Sequence, residues 1–371
     1  MPSPGALTRR TRILLGVGIV VLLGFSVHRL YFAQPPGPYV VLSGGTMGTT
    51  WTVKLAGEDL GPDVIREAGR VIGAALDDVV ARMSTWEETS EISNFNALES
   101  RKPFQVSEPV IDVLSIAREI NLRSSGAFDV TIGPLVEAWG FGSAAPLEEE
   151  LSEGRIRALL RRVGPSVLEI DADKKTLRKT HPLAKLDVSA IAKGYGVDRV
   201  AAALESLGHT DYLVEVGGEL KASGRRRDGE LWRVAIERPS ETIRLMQRVI
   251  VLEDQALATS GDYRNFYEID GKRLSHTLDP RTGRPIHHGL ASVSVVHYRA
   301  TWADAWATAL NVLGPYDGYA LALDQGLTAH FIMRGDLQGF EEWSTPGFEA
   351  LLQAAGGPGD RASASPEAKT E

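Results

Sequence analysis

The sequence of 371 residues contains no cysteine. This absence excludes a disulfide, a thiolate metal site, a cysteine nucleophile and a lipid-modified cysteine. An excess of basic residues is also lacking, because 40 lysines and arginines stand against 48 aspartates and glutamates and the formal net charge is -8. We therefore expect no general nucleic-acid-binding surface. The remaining composition, with 43% hydrophobic and 24% charged residues, is ordinary for a globular protein.

Near the N terminus, residues 13–27 form an uncharged apolar run that follows Arg9, Arg10 and Arg12. Extending the run to residue 33 gives the length of about 20 residues that a membrane-spanning helix requires. We predict a basic cytoplasmic N terminus over 1–12, a membrane-anchor helix over 13–33 and a linker over 34–42. A cleaved signal peptide is the alternative interpretation.

The rest of the chain mixes helical and strand-like segments without a regular βαβ rhythm, which predicts an α+β fold. We expect mixed, largely antiparallel sheets flanked by helices, in one domain over 43–345. Apolar periodicity predicts helices over 60–84, 106–124 and 190–207, and a further pair over 302–314 and 318–326. The C-terminal tail, 346–371, is rich in Gly, Ala, Ser and Pro from about residue 356, and we predict disorder there.

The stretch KLDVSAIAKGYGVDRV, residues 185–200, indicates a strand that ends at Asp187 and feeds the start of a helix. The unpaired N–H groups of a helix start form a natural anion site, and Gly194 and Gly196 leave room for a ligand. The alternative is that both glycines serve packing alone. We also expect the backbone N–H groups of Gly217 and Gly218, in YLVEVGGELKASG, to bind phosphate.

Two further segments contain residues suited to catalysis. In TWADAWATALNVLG, Asp304 and Thr308 are four residues apart and project from one face of a helix, as oxygen ligands of Mg²⁺ or as ordinary surface residues. In SHTLDPRTGRP, His276 precedes a turn, where it either acts as a general base or has only a structural role.

Seven segments, taken together and in this order, resemble the motifs of the ApbE-like family of FAD:protein FMN transferases. They are GTMGTTW, MSTWEETSEISNFN, GAFDVTIGPLVEAWGFG, KLDVSAIAKGYGVDRV, YLVEVGGELKASG, SHTLDPRTGRP and ADAWATAL. The resemblance implies an enzyme that uses Mg²⁺ as cofactor and FAD as substrate. Such an enzyme cleaves the FAD pyrophosphate, attaches FMN to a Thr or Ser hydroxyl of a target protein and releases AMP.

The resemblance also assigns roles to individual residues by position. It implies FAD contacts from Met47, Trp86, Ala127, Phe128, Asp129, Asp187, Lys193 and Leu278. It implies metal contacts from Asp304, Thr308 and the Ala190 carbonyl, and it gives His276 the role of deprotonating the acceptor hydroxyl. Trp86 departs from the tyrosine of many relatives, so that an aromatic ring is kept and a hydroxyl is lost.

The resemblance and the predicted anchor together imply partners and a location. The partners are acceptor flavoprotein subunits of membrane redox complexes, of the Na⁺-pumping quinone reductase or Rnf type. The location is a bacterial inner membrane, with a single membrane span and the catalytic domain in the periplasm. Two other functions remain open, an FAD pyrophosphatase that gives FMN and AMP, and a non-catalytic flavin-binding protein.

Overall fold

A computed structural model of the protein describes residues 37, 39–142, 147, 149–239, 246–261, 266–269, 272–335 and 339–356. The predicted N-terminal segment 1–12 and the anchor 13–33 lie outside these residues, as does the predicted disorder beyond 356. Among the helices that are described, none combines the length and the apolar character that a bilayer crossing requires.

The described strands are numbered in chain order. They are β1 (Val40–Thr46), β2 (Thr49–Leu55), β3 (Phe104–Gln105), β4 (Leu168–Asp171), β5 (Thr176–Lys179), β6 (Tyr212–Val216), β7 (Glu219–Ser223), β8 (Trp232–Glu237), β9 (Met246–Leu252), β10 (Ala256–Gly261), β11 (Phe266–Ile269), β12 (Lys272–Ser275), β13 (Leu278–Asp279), β14 (Arg284–Pro285), β15 (Leu290–His297), β16 (Thr328–Arg334) and β17 (Phe340–Ser344). Eight of them form one antiparallel sheet in the order β1-β2-β6-β7-β10-β15-β16-β17.

The described helices are numbered in the same way. They are α1 (Pro62–Met83), α2 (Glu91–Ala97), α3 (Glu108–Arg123), α4 (Gly133–Ala138), α5 (Glu153–Leu160), α6 (Ser189–Ser206), α7 (Ala300–Asp324) and α8 (Pro346–Ala354). Helices and a largely antiparallel sheet together confirm the predicted α+β class.

The two faces of the large sheet carry different layers because side chains alternate along each strand. Tyr212 and Val214 of β6 pack in one core with helices α1 and α6, whereas Leu213 packs in another with Trp232 of β8 and Phe348 of α8. Helix α7 packs against α6, β10 and β15. The helices α1, α6 and α7 therefore form one layer, and β8, β9 and α8 cover the opposite face.

The strand predicted before α6 is wrong. Residues 185–187 form a single parallel bridge, Ile132 to Lys185, instead of a strand. The backbone of Leu186 is instead held by the side chain of Asn96, which donates to its carbonyl at 2.8 Å and accepts from its N–H at 2.7 Å. Further along the chain, β9 and β10 are separated by a turn that contains Asp254 at a φ of 51°.

The helices near the C terminus agree with the prediction in one respect and differ in another. The predicted break between two helices is confirmed, because the non-helical Gly314, which precedes Pro315, divides α7 into two helical segments. Pro315 has no N–H to donate to the Asn311 carbonyl, and the Nε2–H of His288 donates to that carbonyl at 2.8 Å. Helix α8 lies inside the predicted tail 346–371, where its Phe348 is fully buried.

Glu342, on the last strand β17, connects this strand to β9 and β16 through its carboxylate. Its carboxylate accepts hydrogen bonds from Gln247 Nε2 at 2.6 Å and Arg248 Nε at 2.8 Å, and it lies 3.2 Å from His330 Nε2. Burial would raise the pKa of Glu342, but the hydrogen bonds from His330, Arg248 and Gln247 outweigh it and lower the pKa to about 2.

We expect Glu342→Gln to lower the free energy of unfolding at pH 7 by about 2 kcal/mol, because a depressed pKa is a stabilising contribution. The folded-state pKa lies below that of the unfolded chain, so this contribution is present at neutral pH and is lost as the pH falls from about 4.3 towards about 2. Denaturant titrations at several pH values measure it. If the free energy of unfolding depended on pH in the same way in the variant and in the wild-type protein, the depressed pKa of Glu342 would be contradicted.

Candidate active site

A cleft of about 800 Å³ collects residues from distant parts of the sequence. The start of α6, the turn between β6 and β7, the end of β10 and one face of α7 all contribute to its walls. Most of the predicted site residues line it, namely Ala127, Phe128, Asp129, Asp187, Ala190, Lys193, His276, Leu278, Asp304 and Thr308. Asp304 and Thr308 face the cleft from successive turns of α7, as their spacing predicts.

Asp304 is the buried centre of the cleft, at 4% exposure. Its Oδ2 accepts a hydrogen bond from the backbone N–H of Gly194 at 2.9 Å, and its Oδ1 lies 3.8 Å from Lys193 Nζ. The same ammonium group lies 2.7 Å from Oε1 of Glu219, which is 2% exposed. One lysine from α6 therefore stands between two buried carboxylates, one from α7 and one from β7.

The charges of this cluster are strongly coupled. Burial alone would lower the pKa of Lys193, but the charges of Asp304 and Glu219 outweigh it and raise the pKa, so the ammonium form is retained. Burial raises the pKa of both Asp304 and Glu219 against the opposing charge of Lys193. One positive charge is shared by two carboxylates, and a further cation in the cleft would stabilise their ionised forms.

The wider cleft is acidic as well. Asp129, Asp187, Glu215 and Glu237 line it in addition to Asp304 and Glu219, whereas Lys193 is the only lysine or arginine that lines it within the described part of the chain. An anionic ligand such as a pyrophosphate would meet net repulsion here. A bound cation removes that repulsion.

The residues present fit a magnesium ion. Asp304, Thr308 and Ala190, whose carbonyl the resemblance assigns to the metal, line one cleft, and they offer the hard oxygen donors that Mg²⁺ prefers. The Oε2 atom of Glu219 is buried without a hydrogen-bond partner among the described residues. No group of three or more His, Asp or Glu residues that would cage a metal occurs in the part of the chain that the structure describes. This donor set suits Mg²⁺, which keeps several water or phosphate ligands.

The start of α6 does not form a free anion site. The N–H of Ser189, in the first turn, donates to Asp187 Oδ1 at 2.9 Å. The N–H of Gly194, which is four residues after Ala190 and so the usual helical partner of its carbonyl, donates to Asp304. These contacts place the carboxylates of Asp187 and Asp304 against the first turns of α6, where the sequence suggested phosphate.

The glycines of α6 serve helix packing, which was the alternative interpretation of the sequence. A Cβ atom on Gly194 would lie 2.3 Å from the Ala300 carbonyl oxygen and 2.8 Å from Asp304 Cβ, and one on Gly196 would lie 3.0 Å from Met47 Cε. The expectation that they leave space for a ligand is therefore wrong. Gly194 instead allows α6 and α7 to approach closely enough for the hydrogen bond to Asp304.

The expected phosphate contacts of the β6–β7 turn are also wrong in this structure. The N–H of Gly217 donates to the Thr50 carbonyl at 3.0 Å, and the N–H of Gly218 donates to Glu215 Oε1 at 2.7 Å. Both donors are already used. The glycines are instead required by the left-handed turn, with φ values of 59° and 106°.

Asp129 lines the same cleft, and hydrogen bonds fix its carboxylate. Its carboxylate accepts hydrogen bonds from Thr131 Oγ1 at 2.6 Å, Thr131 N at 2.8 Å and Asn121 Nδ2 at 3.1 Å. Burial raises its pKa and these hydrogen bonds oppose the change. Asn121 also donates to the Phe128 carbonyl at 2.7 Å, so one side chain from α3 positions two predicted FAD-contact residues.

Two predicted FAD-contact residues lie outside this cleft. Trp86 is 68% exposed and lines a smaller hollow of about 210 Å³, which shares Asp187 and Val136 with the main cleft. Met47 lies in the β1–β2 turn at a φ of 47° and packs partly buried against the cores beside α6. The structure thus places Trp86 next to the cleft and Met47 behind it.

The sequence did not single out Glu219 and Asn121. Glu219 lies inside a quoted motif, but its strand β7 reads ELKAS, which contains other polar residues, so its burial was not visible in the sequence. Asn121 lies on the buried face of α3, where a polar residue among apolar ones was a usable signal. For neither residue could the contacting residues be identified without the folded structure.

Comparison with known proteins identifies the family. The model of the ApbE family matches residues 47–331. This chain belongs to the ApbE family. A curated relative from Vibrio cholerae serotype O1, named FAD:protein FMN transferase, is 41% identical over 324 residues, which cover 86% of this chain and 94% of the relative. A relative of the same name from Escherichia coli K12 is 38% identical over 343 residues, which cover 90% of this chain and 97% of the relative.

Solved structures of the ApbE family share the fold. The flavin transferase ApbE from Vibrio cholerae has a TM-score of 0.77 at 40% identity, covering 84% of this chain and 99% of that chain. The apo form of the flavinyl transferase ApbE from Pseudomonas stutzeri has a TM-score of 0.76 at 39% identity, covering 85% of this chain and 96% of that chain. The family and the enzyme class predicted from the seven motifs are therefore confirmed.

Proposed function

We propose that this chain is an FAD:protein FMN transferase with Mg²⁺ as cofactor and FAD as substrate. It joins the FMN half of FAD through a phosphoester bond to a Thr or Ser hydroxyl of an acceptor protein and releases AMP. The observation that supports this best is the meeting of Asp304, Thr308 and Lys193 in one acidic cleft of about 800 Å³, a volume suited to a large ligand. The names of the relatives give the same reaction type.

Each residue has a role in this proposal. Asp304, Thr308 and the Ala190 carbonyl hold Mg²⁺, which supplies charge neutralisation to the pyrophosphate when it is bound. Lys193, held by Glu219, is the cation of the protein that faces the phosphates. Asp129 and Asp187, with their fixed hydrogen bonds, orient the dinucleotide so that positioning provides most of the rate, as in other phosphoryl transfers.

His276 is the proposed general base. It lines the cleft between β12 and β13 and takes the proton of the acceptor hydroxyl as the oxygen bonds to the FMN phosphorus. The bond from that phosphorus to the AMP oxygen breaks, and AMP leaves. The nucleophile is thus the acceptor side chain, and His276 restores itself by releasing the proton.

We expect His276→Ala to slow transfer about 100-fold or more, because a positioned general base contributes about this much. Flavin fluorescence that stays with the acceptor after denaturing electrophoresis measures the rate, and a fluorescence titration measures FAD binding. Thr277→Ser, next in sequence, is the matched control for disturbance of the segment. A His276→Ala enzyme that transfers at the wild-type rate would remove His276 from the mechanism.

For the acceptor we propose flavoprotein subunits of membrane redox complexes, of the Na⁺-pumping quinone reductase or Rnf type. The apolar run at 13–33 after three arginines supports an inner-membrane anchor with the catalytic domain in the periplasm. An enzyme held at that surface would meet acceptor domains on the same side. Fusion of a reporter enzyme that is active only in the periplasm, after residue 356, tests the orientation, and a full-length fusion without reporter activity would contradict it.

One incubation separates the three possible functions. The protein is mixed with FAD and Mg²⁺, with and without the soluble flavin-bearing domain of an Na⁺-pumping quinone reductase subunit. Transfer predicts AMP together with flavin that stays on the acceptor after denaturation. AMP and free FMN in both mixtures would indicate a pyrophosphatase, and FAD binding without AMP would indicate a binding protein.

A further inference from the structure

Strand β10 extends beyond its neighbour β7 in the large sheet. It pairs with β15 along its full length, but with β7 only at Ala256 and Leu257. The pairing with β7 stops because the β6–β7 hairpin turns back at Gly217 and Gly218. On that side, no described strand pairs with residues 258–261. The interior of the sheet therefore contains a short open edge, 258–261.

The direction of the backbone groups on this edge follows from the register. The carbonyl of Gln255 accepts a hydrogen bond from the N–H of Ala222. These two residues lie opposite each other in the register that also pairs Ala256 with Lys221. Along a strand, the backbone N–H and C=O groups of every second residue point to the same neighbouring strand. Leu257, Thr259 and Gly261 therefore face the β7 side. The open edge presents the N–H and C=O groups of Thr259 and Gly261.

This edge is a wall of the candidate active site. Thr259, Ser260 and Gly261 line the same cleft as His276 and Asp304. An open strand edge with unpaired backbone groups is a template for another extended chain. Here it lies within the reaction cleft, where an acceptor chain has to arrive.

The side chains along the edge are fixed away from it. Ser260 Oγ accepts a hydrogen bond from Asn311 Nδ2 of α7 at 3.1 Å, on the helical face of the sheet. Thr259 Oγ1 lies 2.7 Å from Ser294 Oγ of β15. These bonds fix the two side chains, while the backbone groups of Thr259 and Gly261 remain directed towards the open side. The edge is preorganised, which reduces the cost of binding a chain.

We propose that the acceptor polypeptide binds to the open edge of β10 as an added extended strand. The side chains of such a strand alternate between the two faces of the sheet. The acceptor Thr or Ser faces Asp304 and Thr308 on α7, and its neighbours face Ala235 and Ile236 of β8, which line the other side of the cleft. Backbone pairing provides affinity, and the alternating faces provide specificity. This inference rests on the proposed function.

The first test removes one backbone donor from the edge. Thr259→Pro and Thr259→Val both lose the hydroxyl contact with Ser294, but only proline loses the N–H that faces the cleft. The acceptor is the soluble flavin-bearing domain of an Na⁺-pumping quinone reductase subunit. We expect the proline variant to have a KM for this acceptor about 10-fold higher than the valine variant, the effect of one lost hydrogen bond. The two variants should bind FAD with equal affinity in a fluorescence titration.

The second test uses the wild-type enzyme, so that it does not depend on the folding of a variant. Two sets of short peptides that span the acceptor Thr are compared. In one set the two residues adjacent to the Thr carry backbone N-methyl groups. In the other set the Thr itself and the residues two positions away carry them. An added strand predicts that one alternating set lowers transfer about 10-fold more than the other. Equal effects of the two sets would overturn the inference.

The outcomes separate this inference from the proposed function. Wild-type enzyme that forms no flavin adduct on the acceptor overturns the proposed function and the inference with it. Wild-type transfer with equal acceptor KM for Thr259→Pro and Thr259→Val overturns the open edge alone. Weaker FAD binding in the proline variant with unchanged acceptor KM would assign the edge to FAD instead.

Discussion

Replacement of Asp304 by asparagine is expected to abolish FMN transfer, with a loss of about 1000-fold or more. The carboxylate is the one charged group among the proposed metal contacts, and a metal ion contributes several kcal/mol to such a transition state. Asparagine keeps the volume and can still accept the hydrogen bond from Gly194 N–H, so the close packing of α6 and α7 is retained. Single-turnover transfer at saturating FAD measures the effect.

The control for this variant is Asp317→Asn, because Asp317 is an exposed residue of the same helix outside the cleft. Titration with Mg²⁺ adds a second readout. The apparent Mg²⁺ affinity should fall in Asp304→Asn and should stay at the wild-type value in Asp317→Asn. Transfer at the wild-type rate by Asp304→Asn at low Mg²⁺ would contradict the metal role of this residue.

Replacement of Gly194 by alanine is expected to cause the largest loss of stability among single substitutions at the site, about 3 kcal/mol. The added Cβ would lie 2.3 Å from the carbonyl oxygen and 2.6 Å from the carbonyl carbon of Ala300. These are backbone atoms, so the two helices have to separate. Separation also lengthens the hydrogen bond from Gly194 N–H to Asp304, and transfer should fall together with stability.

Gly196→Ala is the matched control, two residues later in the same helix. Its Cβ would contact Met47 Cε at 3.0 Å, and this atom is the flexible end of a side chain. Alanine is also the better helix former, by about 1 kcal/mol. Denaturant midpoints should therefore change little for Gly196→Ala and strongly for Gly194→Ala. Equal midpoints for the two variants would contradict the packing role of Gly194.

Parts of the site could be predicted from the sequence because they depend on local geometry. The four-residue spacing of Asp304 and Thr308 fixes their common face on a helix whatever the rest of the chain does. The glycine-interrupted start of α6 is likewise a local feature, and its position was correct to about one residue. The family resemblance then indicated that these two distant segments meet.

The rest of the site depends on contacts between elements that are distant in sequence. Glu219 pairs with Lys193 because β7 lies beside α6 in the folded sheet, and no spacing in the sequence shows this. The same holds for Gly194, whose neighbours Ala300 and Asp304 come from the far end of the chain. A glycine near a helix start suggested a ligand, and only the packing of the helices shows the actual neighbour.

The open edge of β10 was hidden for a related reason. No sequence pattern shows that the turn at Asp254 separates β10 from β9. The length of a strand relative to its neighbour is a property of the assembled sheet. The edge exists because β7 begins only at Glu219, after the turn at Gly217 and Gly218, while β10 continues to Gly261.

The central claim is that this cleft transfers FMN from FAD to a hydroxyl of another protein with Mg²⁺ present. Its most direct test is intact-mass analysis of the acceptor domain after incubation with the enzyme, FAD and Mg²⁺, with AMP measured in the same sample. The account predicts an FMN-sized mass increase on one Thr or Ser, AMP in equal amount, and neither product with Asp304→Asn. AMP in full amount with an unmodified acceptor would contradict it.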